Sequence, residues 1–211
     1  MVQKRSARRG RPRTYDPDRA LREARDLFWS RGFAATSLDD LSAATRMNRP
    51  SLYGAFGDKR ALYHAAMAHY RRDVGAELTR IVAEEAPLRE TLMRIYRYVL
   101  DIYFPEDGQP RGCFIVSIGV AEAQDDADAR RIAAGAFEAF DGLFEKRFRD
   151  AVRTGELPGG TDCATLAGIA SSIVHFLSVR SRIGESRDTL YAFAQSAVDM
   201  ILATGQARAG K

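Results

Sequence analysis

Apolar residues recur along this chain at intervals of three and four, and no stretch alternates apolar with polar residues for long enough to make a strand. A period near 3.6 buries one stripe of a helix, whereas a half-buried strand needs a period of two. The spacing predicts an all-α fold of about nine helices. Of 211 residues, 45% are hydrophobic and 28% charged, which suits one or two folded domains and excludes a disordered chain. The longest nearly uninterrupted apolar run, Cys113 to Ala121, is far short of the roughly 20 residues of a membrane span. No apolar segment follows the basic N-terminus as a secretory signal requires, so a cytoplasmic location is expected. Cys113 and Cys163 are too few for a disulfide framework or a four-ligand zinc site, and no metal or cofactor is expected.

The first helix opens at Asp16-Pro17, an N-cap acid followed by proline at the first helical position, and ends at Gly32. Ser37-Leu38-Asp39-Asp40 fits the capping box of a short second helix that stops near Thr45-Arg46. After a turn of about three residues Asn48 can cap a third, with Leu52 and Phe56 inward and Arg49 and Tyr53 together outward. Gly57-Asp58 closes it and caps a fourth helix from Lys59 to about Glu85. Three short helices within about 45 residues, two of them joined by a tight turn, make a helix-turn-helix. Five longer helices follow, at about 88–104, 111–125, 128–154, 162–182 and 187–204. The expected division is a basic arm at 1–14, a DNA-binding unit at 15–62 with a linking helix to about 85, and a second unit at 86–211.

The formal charge of +4 is unevenly placed: residues 1–14 carry +6 and the rest carries −2. One basic end on a mildly acidic body is the asymmetry of a chain that meets a polyanion at that end. A helix-turn-helix lays its second helix in the major groove, N-terminal residues against base edges. Those residues are Asn48, Arg49, Pro50 and Ser51, followed by Tyr53 and Gly54. Arg49 can donate two bonds to guanine, Ser51 and Tyr53 can bond bases or phosphate, and Gly54 removes a side chain that would hold the backbone off the duplex. Asn48 can instead simply cap, and Tyr53 simply pack. Phosphate contacts are expected from Thr36-Ser37 at a helix N-terminus and from Lys59, a cation where the helix dipole disfavours one. In the arm, Arg9-Gly10-Arg11-Pro12-Arg13 is similar to the AT-hook, which lies in the narrow minor groove of A·T-rich DNA, so Arg11 and Arg13 are expected to enter that groove.

Residues 16–62 resemble the DNA-binding domain of the TetR family of bacterial transcriptional repressors. The resemblance is carried by Phe28-Trp29-Ser30-Arg31-Gly32-Phe33, by Thr36 to Leu41, and by the run from Ser51 to Leu62. The chain departs from the family at Arg46 and Pro50, where glycine is usual or frequent, and at Ala55, where His or Tyr is common. The resemblance implies a homodimer formed through the last two helices, 162–182 and 187–204, and a small-molecule effector bound in the second unit. Ala164, Ala167, Gly168, Ala170, Ser171 and Ser172 would allow close helix approach there. Leu190, Phe193, Ala194, Ala197, Val198 and Ile201 would supply the apolar stripe.

The aromatic and polar candidates for an effector pocket are Tyr96, Tyr103, Cys113, Phe114, Phe137, Phe140, His175 and Phe176, although aromatics at helical spacing equally make core. Gly112-Cys113-Phe114 looks like the Gly-Cys segment of a TetR subgroup that includes electrophile-sensing repressors. A helix N-terminus and the neighbouring Arg111 would lower the Cys113 thiol pKa and allow thiol-based sensing, whereas a buried cysteine is a small hydrophobe. His64 and His69, five apart, do not share a helix face as metal ligands would, and Asp125, Asp126 and Asp128 read as helix-start acids. No nucleophile elbow, phosphate loop or dinucleotide fingerprint occurs, so a small-molecule-processing enzyme with a DNA-binding head is the remote alternative. The expected function is a ligand-responsive repressor of a near-palindromic operator.

Overall fold

A computed structural model describes residues 15–106 and 108–207, and the arm with Arg11 and Arg13 lies outside them. The described residues are helical and contain no strand. In chain order the helices are α1 (Pro17–Arg31), α2 (Leu38–Thr45), α3 (Arg49–Phe56), α4 (Lys59–Ala83) and α5 (Leu88–Tyr103). A π-helical segment, Ile115–Gly119, runs into a single turn, α6 (Val120–Glu122), and α7 (Ala127–Arg153), α8 (Cys163–Arg182) and α9 (Arg187–Ala207) complete the chain.

The start signals act as their chemistry requires. Asp16 accepts from the Asp18 and Arg19 amides, Ser37 and Asp40 form a reciprocal capping box, Asn48 accepts from Ser51 N, and Asp58 from Ala61 N. Each satisfies amides that a helix start otherwise leaves bare. Arg46, where the family favours glycine, takes the left-handed conformation at φ 55°, which lets α2 turn sharply into α3. A core runs from Ala24, Phe28 and Trp29 of α1 through Tyr63, Met67 and Tyr70 of α4 into the α5, α7 and α8 layer. Face-to-edge aromatic contacts join the two units: Trp29 to Tyr70 at 5.2 Å and Tyr70 to Phe114 at 5.8 Å.

Two expectations fail here. The span 111–125 is not one helix. Gly112, at φ 65°, lies so close to α8 that a Cβ on it would sit 2.5 Å from Ser178 O, and helical structure begins only beyond that contact. The apolar stripe of the last helix is also mostly turned inward, with Phe193 alone of its six residues exposed. Leu190, Ala194, Val198 and Ile201 are buried within the chain, as are Ala167, Ala170 and Ser171 of α8. What faces outward is Ala164, Gly168, Ile169, Ser172 and Val179 on α8, Ile183 just past its end, and Phe193 and Met200 on α9, so Ala164, Gly168, Ser172 and Phe193 are placed as expected. Helix α8 has the length and apolar composition to cross a membrane, a composition here used to bury Leu166, Ile173, Val174 and Leu177 against its neighbours.

Candidate functional site

Helix α3 turns Leu52 into the core and leaves Asn48, Arg49, Pro50, Ser51, Tyr53 and Gly54 exposed along one edge. Pro50 occupies the first turn, where its missing N–H costs nothing. A Cβ on Gly54 would meet nothing within 4 Å, so no neighbour inside the protein requires glycine there. Asn48 is engaged as the cap, with Oδ1 accepting from Ser51 N at 2.9 Å. Arg49 points outward as the spacing predicts, but it is already paired within the head. Its Nε and Nη2 donate to the two carboxylate oxygens of Asp39 at 2.8 and 2.5 Å, so α2 supplies a partner that spacing alone did not reveal.

The flanking residues divide. Thr36 is buried and its hydroxyl donates to Gly32 O at 2.7 Å, so its side chain is a structural tie and not an open phosphate ligand. Ser37 is exposed, but its hydroxyl and amide are both engaged by Asp40. The Ser37 bonds come first in holding the Asp40 carboxyl below its usual range. Lys59 Nζ lies 4.5 Å from the centre of the Phe33 ring and 3.5 Å from Ala34 O, at the N-terminal end of α4 beside α3.

In the second unit a cavity of about 350 Å³ lies among α4, α5, α7, α8 and the segment 113–116. Tyr103, Cys113, Phe137, Phe140 and His175 line it as the sequence suggests. Tyr96, Phe114 and Phe176 do not. Tyr96 is buried with its hydroxyl on Ala170 O, Phe114 packs on Trp29, Tyr63 and Tyr70, and Phe176 stacks on Phe193 at 4.3 Å. The wall that sequence reasoning missed is α4, with Tyr70, Arg71, Val74, Leu78 and Val82. Its only signal was an apolar series continuing four apart after the helix had already buried Tyr63, Met67 and Tyr70.

Cys113 also departs from expectation. Burial pushes its thiol pKa up, against the smaller opposing effect of nearby amides and tyrosine hydroxyls, and Tyr70 donates to Sγ at 3.6 Å. Arg111 does not activate it, because the guanidinium turns away onto the Trp29 ring, 4.0 Å from its centre, and onto Asp26. Burial likewise pushes the His175 imidazole down, with Asp141 opposing, so the ring is neutral at neutral pH.

A family model described as bacterial regulatory proteins, tetR family, matches residues 20–66, and one described as a tetracyclin repressor-like C-terminal domain matches residues 87–197. The chain belongs to the TetR family. It is similar to two Escherichia coli (strain K12) proteins, the HTH-type transcriptional repressors ComR and BdcR. The first is 28% identical over 187 residues, 88% of this chain and 89% of the relative, and the second 30% over 202 residues, 95% and 97%. Among solved structures, a cysteine-substituted form of the TetR family transcriptional regulator CifR, complexed with 26-base-pair operator DNA, superposes with a TM-score of 0.81. It shares 30% identity, over 90% of this chain and 98% of that one. The crystal structure of E. coli NemR in its reduced form has a TM-score of 0.76 at 19% identity, over 87% of this chain and 94% of that one, a likeness of fold.

In this TetR-family regulator the head and the cavity unit are joined by contacts that motif reading passed over. Asp126 caps α7 and also accepts from Arg60 at 2.6 Å and meets His64 Nε2 at 2.7 Å, both on α4. Burial alone would raise this carboxyl; the Ala129 amide, His64 and Arg60 overcome it and hold it at about 2. The Trp29 indole donates to Arg111 O at 3.1 Å, two residues before the cavity residue Cys113.

Proposed function

We propose that the protein is a homodimeric repressor that grips a near-palindromic operator with the exposed edge of α3 and releases it when a small molecule enters the cavity. In this reading residues 15–62 are the DNA-binding head, α4 is the link, and residues 86–211 bind effector and partner. The supporting observation is the double use of α4. It begins beside the recognition helix with Lys59 and ends as a wall of the cavity with Tyr70, Arg71 and Val74. A ligand that prefers one placement of α4 changes the separation of two heads that must sit about one helical turn, roughly 34–36 Å, apart. Couplings of this kind are typically about 1–3 kcal/mol. A thiol raised by burial offers no activated nucleophile, so non-covalent capture is favoured over covalent sensing at Cys113. A repressor works where its DNA is, in the cytoplasm.

The outward apolar residues of α8 and α9 are the proposed dimer face, with Val179 52%, Ile183 69% and Met200 72% exposed in one chain. Replacing Val179 and Ile183 together by glutamate is expected to halve the mass seen in sedimentation velocity while leaving the helical circular dichroism unchanged. A native protein already sedimenting as one chain would sink the dimer.

Selection of genomic fragments by the purified protein tests the function itself. One or a few sites with inverted half-sites are expected, and recovery without sequence preference would overturn the reading. Arg11 and Arg13 are proposed to enter the flanking minor groove. Removing residues 1–14 should then make the fall of affinity with salt shallower by about 0.9 in log–log slope for each arm cation seated on a phosphate. An unchanged slope would show that the arm does not touch DNA.

A further inference from the structure

The polar groups that line the cavity are unequally satisfied. Tyr70 bonds the Cys113 thiol, Tyr103 is buried beside the same thiol, Thr79 donates to Gly75 O, and Lys146 is paired with Asp150 at 2.9 Å. Arg71 is different. It makes no ion pair or hydrogen bond among the described residues and is exposed, and its guanidinium lies over α7, where a Cβ on Gly135 would come within 2.7 Å of Nη1. Among the described lining residues the one buried side-chain polar atom without a hydrogen bond is His175 Nδ1, on a ring that packs against Phe137. The lining contains no aspartate or glutamate. An apolar chamber with an uncommitted guanidinium at its rim and no acid in its walls repels a cation and receives an anion, because a charge-assisted fork is available and no like-charged group has to be displaced.

We infer that the cavity takes an apolar monoanion, a carboxylate or a group of the same charge and shape, with its body among Val74, Leu78, Val99 and Phe140 and its charge on Arg71. This rests on the cavity being the effector site and adds the chemistry of what enters it. Size narrows the class further. An engineered cavity of about 150 Å³ accepts benzene, so about 350 Å³ suits a body of roughly twelve non-hydrogen atoms.

The test uses three probes with one ten-carbon chain: decanoate, 1-decanol and decyltrimethylammonium. Binding to the full-length protein is measured by calorimetry, and release of the selected operator fragment is followed in parallel. Decanoate is expected to bind at least ten times more tightly than decanol, and the cation not measurably. Arg71→Gln is expected to bring decanoate and decanol to equal affinity. Gly135→Ala, which puts a methyl group where the guanidinium lies and favours the helix, is expected to shrink the same preference with the charge still present. Equal binding of decanoate and decanol by the native protein, no binding of either, or a preference untouched by Arg71→Gln would overturn the anion class. Selective decanoate binding without operator release would uphold that class and overturn the release mechanism. Equal binding with release by both probes would do the reverse.

Discussion

Gly112→Ala is expected to lower the stability of the folded chain by about 2–5 kcal/mol. Two separate costs add. At φ 65° a residue with a Cβ is strained by roughly 1–2 kcal/mol. The new methyl would also lie 2.5 Å from the backbone oxygen of Ser178 and 3.0 Å from the hydroxyls of Ser117 and Ser178, an overpacking worth about 1–3 kcal/mol. The obstructing atom at 2.5 Å is backbone of α8 and cannot rotate aside. Relief would require α8 to move, and with it the bond from Cys113 N to Ser178 Oγ, 2.8 Å long, that fixes the cavity edge. Gly155→Ala is the control, since φ there is 79° and nothing lies within 4 Å of the added carbon, so only the conformational cost applies. Urea denaturation of both variants separates the terms. A loss at Gly112 no larger than at Gly155 would show that α8 yields freely. The Gly-Cys pair is thus explained first by its glycine, as the point where the chain passes closest to α8.

What was legible in the sequence was whatever depends on neighbours along the chain. Asp16, Ser37, Asn48 and Asp58 were readable as caps because a cap needs only the amides two or three residues ahead. Leu52 inward and Tyr53 outward follow from one turn of helix. Contacts between helices were not legible in this way. Arg49 was placed outward correctly, but its partner Asp39 is ten residues back, across a turn whose angle is set by the left-handed Arg46. The α9 stripe of Leu190, Ala194, Val198 and Ile201 was recognised as apolar, yet periodicity gives a stripe without saying whether the same chain or a second copy covers it. The α4 wall was hidden for a related reason: this helix packs on α1, α5 and α7, so it buries residues on more than one face and no single stripe marks it. Cys113 shows the limit for chemistry. A helix N-terminus and a cation two residues away in sequence suggested an activated thiol, whereas the fold spends Arg111 on Trp29 and Asp26 and buries the sulfur.

Arg49→Ala is expected to weaken operator binding by about 10- to 100-fold per half-site, and by the product of two such factors if two half-sites are gripped by a dimer. In the free protein the guanidinium fork is filled by Asp39, and that bidentate geometry is the one guanine O6 and N7 offer in the major groove. The pair is exposed on both sides and so contributes little to folding, which leaves the arginine free to exchange partners when a base edge arrives. Asp39 then has two effects. It holds the side chain in a productive shape, and its charge opposes the approach of phosphates. Asp39→Asn should therefore bind unrelated DNA more tightly than the native protein while discriminating less between the operator and its single-base variants. Titration of native protein, Arg49→Ala and Asp39→Asn against the operator, and against every substitution of one half-site, decides the matter. Loss of preference at one base pair in Arg49→Ala identifies a base contact. An equal loss on every sequence identifies a phosphate contact, and the recognition role then falls to Ser51 and Tyr53 on the same edge.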